Sequence, residues 1–461
     1  MTDLDLIKIP KYIKKKVIME SPCIKTPYND AIKVIFADFT ASGRPSPIVE
    51  NNIQTKVLPY YSNTHSNAYC GIMMKNLVKE TKTYLRKSLN LSTTKKIIFT
   101  GTGTTSAINH LIYCLNLKLI KRRINIFITP YEHHSNYLPW YELQKNQNVQ
   151  VHILKMKENF DFDIDSLMSN LEDYKNDINI ISITACSNVL GIQMNIKEIY
   201  NIIQRYNNNK SIYDKSNLLF VDYACCAPYV KIDGKFGDAL FISPHKFLGG
   251  VSTPGLLIAE KSLFHNQSPF NPGGGCVTKV CSRYVQYEKD IEKRETAGTP
   301  NIVGIIKIKY IFKLKDIFFD TITHNEHVIT KYVFHYMREL NSKYKDLTVI
   351  LPKCCVEKRL PIVCISIKDI HYNLIVVLFN DLFGIQTRGG VSCTGTLVEI
   401  IEKKYNIHGW CRITFNWLMS QKEIDYIINS LKFIINNVYK YKHQYHYSKK
   451  DNLFIHKSML K

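Results

Sequence analysis

Short apolar runs alternate with amphipathic stretches through the first two thirds of the chain. Strand-like runs fall at 96–99, 124–128, 149–154, 178–183, 218–221 and 239–242. Helical periodicity occupies 73–89, 107–117, 136–145, 163–171 and 196–206 between them. A further short strand at 34–39 runs into a turn of small residues, and 60–71 reads as a polar loop. This alternation predicts a mainly parallel sheet covered on both faces, an α/β architecture. Past Pro300-Asn301 the order changes. Helices are expected at 302–318 and 324–340, strands at 348–351 and 362–367, and a helix at 373–382. A loop at 386–396, a strand at 411–415 and a helix at 424–438 follow. That order predicts a separate α+β unit. The expected division is an irregular N-terminal arm over 1–30, a large domain over 31–315, a small C-terminal domain over 316–438, and a loosely ordered basic tail over 439–461.

Several strands end in polar groups, and strand ends are where an α/β sheet forms its ligand crevice. The run at 239–242 delivers Ser243-Pro-His-Lys246 and then Gly249-Gly250. A lysine amine can form a Schiff base with an aldehyde cofactor once its surroundings free the lone pair. Most lysines are simply solvated, so Lys246 gains meaning only from its company. The strand at 96–99 breaks into Thr100-Gly-Thr-Gly-Thr-Thr-Ser106 before a helix resumes. Glycines there let backbone N–H groups approach an anion, hydroxyls add donors, and the helix N-terminus adds positive potential. The loop can therefore cradle a phosphate. It matches neither common nucleotide fingerprint, and a plain capping turn would read the same way. Other strand ends carry Glu132-His133-His134, Ser187-Asn188 and Asp222.

Composition narrows the class. With 461 residues, 45% hydrophobic and 11% aromatic, the chain is globular and long enough for two domains. No apolar run reaches membrane-spanning length; the longest, at 374–385, is broken by Asn380 and Asp381. The first residues hold no apolar signal core, so the expected location is cytoplasmic. The 13 cysteines are then expected as reduced thiols. None are spaced Cys-x-x-Cys, and Cys276 and Cys281 lack a nearby His/Cys set, so no metal site is expected. The formal net charge of +22 raises nucleic acid as a partner. The lysines are scattered among Asn and Ile without a recognition motif, which argues against it.

Seven short motifs follow one another in a set order: Phe99-Thr-Gly-Thr-Gly-Thr-Thr-Ser-Ala-Ile-Asn109, Glu132-His-His-Ser-Asn136, Ser187-Asn-Val-Leu-Gly191, Val221-Asp-Tyr-Ala224, Ser243-Pro-His-Lys246, Ala297-Gly-Thr-Pro-Asn301 and Arg388-Gly-Gly-Val-Ser-Cys393. Together, over about 38–417, they resemble the class V aminotransferase family of fold type I pyridoxal-phosphate enzymes, which includes cysteine desulfurases and selenocysteine lyases. The resemblance implies a large α/β domain with a mainly parallel seven-stranded sheet and a smaller C-terminal α+β domain. It implies pyridoxal 5'-phosphate as cofactor, with Lys246 as the Schiff-base lysine, Asp222 paired to the ring nitrogen and His133 stacked on the ring. Gly103, Thr104, Thr105, Ser243 and His245 would hold the phosphate, with Thr299 reaching in from a second subunit of a homodimer. Asn188 would lie near substrate and ring phenolate. Arg412 would clamp the substrate carboxylate in a bidentate fork, with Arg388 and His65 lining the same pocket.

The activity so implied is sulfur abstraction from L-cysteine, leaving alanine and a persulfide on Cys393, with a sulfur-acceptor protein as a further partner. Cys225 departs from the desulfurase pattern, which usually has a glutamine there bonded to the ring phenolate. Losing one neutral hydrogen bond is worth about 1 kcal/mol, enough to tune and not to abolish. Two other functions compete. One is an aminotransferase, or a C–S or C–Se lyase acting on another amino acid, with Cys393 structural. The other is a cofactor-free basic binding protein, against which the intact lysine, aspartate, histidine and phosphate loop argue.

Overall fold

A computed structural model describes residues 11–207, 216–352 and 356–460. Seven strands form its central sheet: β1 (Lys95–Thr100), β2 (Ile124–Ile128), β3 (Val149–Ile153), β4 (Ile178–Thr184), β5 (Asn217–Asp222), β6 (Ala239–Ile242) and β7 (Gly255–Glu260). Their order across the sheet is β1-β7-β6-β5-β4-β2-β3. Neighbours from β6 through β3 run parallel, and β7 is antiparallel to both β1 and β6. Every residue of β2 and β6 is buried, which is why these strands read as apolar runs, broken only by Asn125 in β2. The periodicity does not single out β7, yet it completes the seven-stranded arrangement that the motifs imply. Ile98, Ile126, Trp140, Phe220, Phe241 and Leu257 lie in one apolar core with the helix Gly103–Leu115. That helix begins earlier than its apolar period predicts, so Thr104 and Thr105 sit in its first turn.

By its contacts the chain forms two units. Gly43–Cys186 and Met194–Phe318 make the first, which holds this sheet. The second comprises Met1–Ser42, Ser187–Gln193 and Phe319–Lys461. Its sheet has four antiparallel strands, β8 (Leu347–Val349), β9 (Ile362–Ile367), β10 (Arg388–Gly390) and β11 (Trp410–Thr414), in the order β8-β9-β11-β10. The helices Phe319–Lys343, Tyr372–Phe383 and Gln421–Lys442 bury Phe334, Phe379 and Leu431 in a core shared with Ile365 and Ile413. The last helix starts at a capping box, Ser420 with Glu423, which satisfies two of its free N–H groups.

Three expectations change within this unit. The expected loop at 386–396 is partly strand, because Ile385–Gln386 pairs with Ile35–Phe36 and Arg388–Gly390 pairs with β11. The N-terminal arm contains a helix, Lys11–Val17, and a hairpin of Cys23–Thr26 with Asn29–Lys33. The tail forms a second hairpin, Tyr445–Ser448 with Leu453–His456, instead of a loose end. Its order comes from contacts that composition does not reveal. Tyr28 packs edge-on against Tyr441 and His456, and the Tyr445 hydroxyl donates to Asp381 Oδ2 at 2.8 Å. No helix among the described residues is long and apolar enough to cross a membrane.

Candidate active site

In the first unit the polar groups gather at the carboxyl ends of β5 and β6. Asp222 is the last residue of β5, in register with Thr184 and Phe241 of the flanking strands. Its Oδ1 accepts the Ala224 N–H at 2.9 Å. Burial pushes this carboxyl up to about 6, against the Ala224 N–H and the Lys246 ammonium, which both favour its charged form. Lys246 closes the tight turn Pro244–Lys246 directly after β6. Its neighbour His245 is pushed down to about 4, first by burial and then by Lys246, so the imidazole is neutral at ordinary pH. At Gly103 the backbone is left-handed, and an added Cβ would lie 2.8 Å from Ser243 Oγ and 2.9 Å from His245 Cε1. Only glycine permits that approach. Thr104 N–H donates to Ser243 Oγ at 3.0 Å, tying the helix N-terminus to the end of β6.

Two further residues join this group through Ser135. Its hydroxyl lies 2.6 Å from Thr105 Oγ1 and 3.0 Å from His133 Nδ1. Ser135 N–H donates to His133 Nδ1 at 3.1 Å, which leaves the ring proton on Nε2. Beneath them Glu132 is fully buried. Its Oε1 accepts from Thr184 N–H at 2.9 Å and Thr129 Oγ1 at 2.5 Å, and its Oε2 from Asn136 Nδ2 at 2.6 Å. Burial pushes this carboxyl up to about 8 despite those donors. Cys225 is buried close to the thiol of Cys186. His65 and Thr299 are exposed and share a neighbour: Asn63 accepts His65 N–H at 2.8 Å and donates to Thr299 Oγ1 at 2.9 Å. Elsewhere in the unit His110, Cys114 and Glu295 bring potential metal-ligating atoms within 4.8 Å of one another. The Glu295 carboxylate is already engaged by His110, Arg294 and the Phe270 N–H.

The second unit holds the remaining expected residues. Arg388 and Arg412 are direct cross-strand partners on β10 and β11. Like charges so placed repel. Asp38 lies between them, its Oδ2 accepting from Arg388 Nε and its Oδ1 from Arg412 Nη2, both at 2.9 Å. The backbone on either side fixes it: Ala37 N–H donates to Gln386 O, and Thr414 N–H to Ala37 O. Arg412 is 3% exposed, and its Nη1 donates to the Asn188 carbonyl at 3.2 Å. Its Nε and Asn188 Oδ1 are buried without a partner. A donor and an acceptor left so are uncommon in folded proteins. Asn188 Nδ2 donates to Ser392 O at 2.9 Å, one residue before Cys393. The Cys393 thiol is exposed. Ser392 and Cys393 both have left-handed backbones, with φ of 55° and 52°. Such a conformation costs a non-glycine residue roughly 1–2 kcal/mol.

The expected residues thus fall into two sets. Gly103, Thr104, Ser243, His245, Lys246 and Asp222 come together with Thr105 and His133; Arg388 and Arg412 meet at Asp38, with Asn188 linking Arg412 to Ser392 beside Cys393, while His65 and Thr299 join neither set. Sequence reasoning named Glu132 only as a strand-end group and missed Asp38, Ser135 and Ser392. Asp38 had a signal, an acid among Phe36, Ala37 and Phe39 at the end of a short strand.

Comparison with known proteins follows the same outline. The model of the family described as Aminotransferase class-V matches residues 35–427. The chain is 27% identical to a probable cysteine desulfurase of Borreliella burgdorferi over 443 residues, covering 93% of this chain and 97% of the relative. It is 28% identical to a cysteine desulfurase of Wigglesworthia glossinidia brevipalpis over 431 residues, covering 91% and 97%. Among solved structures it is similar to an apo cysteine desulfurase from Thermococcus onnurineus NA1, with a TM-score of 0.75, 22% identity, and coverage of 88% and 95%. A cysteine desulfurase from Escherichia coli gives a TM-score of 0.71 at 20% identity, covering 87% and 94%. The two structural likenesses establish the shared fold.

Proposed function

The chain belongs to the aminotransferase class-V family, and from that premise we propose that it is a pyridoxal-phosphate-dependent cysteine desulfurase. It takes sulfur from L-cysteine, releases alanine and carries the sulfur as a persulfide on Cys393. Cysteine and a thiol give alanine and a persulfide, so atoms and electrons balance without an added oxidant. The observation that carries the reading is the junction of β5 and β6. There Asp222 is buried at the end of β5, Lys246 closes the turn after neighbouring β6, and Ser243 and His245 close around a glycine that tolerates no Cβ.

These residues fit the cofactor. Lys246 would hold its aldehyde carbon. Asp222, ionised above about pH 6, would keep a proton on the ring nitrogen. Thr104, Thr105, Ser243 and neutral His245 would surround the phosphate, and His133 would flank the ring. When bound, the cofactor supplies an electron sink for the substrate's α-carbon. Arg412 Nε and Asn188 Oδ1, a buried donor and a buried acceptor without partners, suit an amino acid's carboxylate and a neighbouring donor. Asp38 neutralises part of the arginine pair. Thr299 would complete the phosphate site of a second copy, making the working form a homodimer in the cytoplasm that passes sulfur to an acceptor protein. Relatives named as cysteine desulfurases across more than nine tenths of the chain support this reading over other members of the family. Cys225, buried where desulfurases usually carry a glutamine, is the feature on the side of an aminotransferase or another lyase.

Incubation with L-cysteine and a reductant tests the proposal. Alanine and sulfide are expected in equal amounts, with a persulfide on Cys393 by mass spectrometry. Both products should vanish in Cys393→Ala while the cofactor's visible absorbance stays. Amino-group transfer to a 2-oxo acid without sulfur release would replace this reading with the aminotransferase one.

A further inference from the structure

We propose that Ser392 and Trp410 are positioning residues, a latch that sets where the loop holds Cys393. This rests on the reading of Cys393 as the sulfur-carrying thiol. The loop leaves β10 at Gly389-Gly390 and rejoins regular structure at the helix Thr396–Tyr405. Gly390 has φ of 123°, a conformation that glycine alone adopts readily, and so provides a pivot at one end. Between these ends the chain passes through two consecutive left-handed non-glycine residues, Ser392 and Cys393. Strain of that kind persists only where neighbours over-determine it.

The neighbours that do so converge on Ser392. The Trp410 indole N–H donates to Ser392 Oγ at 3.0 Å, and Asn188 Nδ2 donates to Ser392 O at 2.9 Å. Thr394 adds a local turn, its N–H and its hydroxyl both reaching Val391 O, at 3.3 and 3.1 Å. Trp410 is fully buried, so its N–H would lose its partner if Ser392 moved away. The Cys393 side chain is exposed, and its placement follows from the backbone that Ser392 holds. Opening therefore exchanges hydrogen bonds at Ser392 for relief of two left-handed residues. The two sides are of similar size, and that near-balance lets a loop adopt two positions. A thiol that must receive sulfur in one place and deliver it in another needs such a device.

Hydrogen exchange of the full-length, cofactor-loaded protein tests the latch. Ser392→Ala removes the hydroxyl and keeps the left-handed strain, and Trp410→Phe removes the donor and keeps an aromatic ring, though a smaller one. Each should raise amide exchange in the peptide covering 388–396 about tenfold, with exchange elsewhere and cofactor absorbance unchanged. The double variant should match either single one, because both remove the same bond. Persulfide formation on Cys393 in a single turnover should slow several-fold, with little change in KM for L-cysteine. Unchanged exchange in 388–396, or additive effects in the double variant, would overturn the latch. So would faster exchange with an unaltered rate of persulfide formation in a protein that does release sulfur. If the wild type releases no sulfur from L-cysteine, the functional reading fails on its own, and an unchanged or additive exchange result would still reject the latch.

Discussion

At the scale of single residues, the site's chemistry depends on close approach and on burial. Gly103→Ala places a Cβ within 3 Å of Ser243 and His245 in a left-handed backbone, so either the helix start or the end of β6 must shift. Cofactor affinity should fall at least tenfold, read by absorbance titration, while far-ultraviolet circular dichroism stays the same. Wild-type affinity in this variant would mean that Gly103 does not face the phosphate. Asp222 yields a prediction in pH. Its folded carboxyl titrates near 6, against a reference of 3.8, so the folded chain holds the proton more tightly than the unfolded one. Its contribution is therefore most favourable at low pH, and it is lost as pH rises from about 4 through 6. The gap corresponds to about 3 kcal/mol. Asp222→Asn keeps an acceptor for the Ala224 N–H and removes the buried charge, so the cofactor-free variant should melt higher than wild type at pH 7. Loss of an attractive neighbour for Lys246 trims the gain, and the difference should close below pH 4. A variant that melts lower than wild type throughout would show that Lys246 outweighs burial. Residues such as Lys246 and Asp222 were legible in the sequence because each follows an apolar run within its own motif. Asp38 showed only as an acid ending a short apolar stretch, and its role was hidden because its partners lie 350 and 374 positions away and only the folded sheet joins them.

At the scale of elements, legibility follows burial. The strands β2, β4, β5 and β6 are almost wholly buried, and their mainly apolar runs, interrupted by Asn125, Asn179 and Ser182, stand out against polar surroundings. The two terminal hairpins are short and mostly half-exposed, so no run of one character marks them. Their order is tertiary. Tyr445, 6% exposed, bonds Asp381, while Tyr28 bonds Gln444 and packs edge-on against His456. Arg388 is a similar case, since a glycine-rich stretch reads as loop until β11 is there to pair with it. Ending the chain after Lys442 removes Tyr445 and His456 together and leaves Asp381 without its phenol partner. Burial of one aromatic side chain plus one hydrogen bond to a charged group predicts a loss of roughly 3 kcal/mol. Chemical denaturation of the truncated and full chains measures it. An unchanged midpoint would make the hairpin an ornament on the helix Gln421–Lys442.

At the scale of the whole molecule, the +22 charge bears on assembly more than on fold. Two copies of such a chain repel over the distance that the ionic atmosphere allows, about 30 Å at 0.01 M salt and about 8 Å at 0.15 M. The proposed homodimer must overcome that repulsion with apolar contact. The hairpin of Val277–Cys281 and Tyr284–Tyr287 carries material for it, because Val280, Tyr284 and Val285 are each about half exposed or more. A dimer held this way should tighten as salt rises from 0.01 to 0.15 M, the opposite of an interface stitched by opposite charges. Sedimentation at several salt concentrations reads the sign directly. Cofactor affinity should rise with the dimer fraction if Thr299 serves the neighbouring copy. Thr299→Ala should then weaken the cofactor in the dimer and leave both the dimer and its salt dependence untouched. A dimer that loosens with added salt would place charged pairs at the interface instead. A dilute monomer that binds the cofactor as tightly as the dimer would confine Thr299 to its hydrogen bond with Asn63 in its own chain.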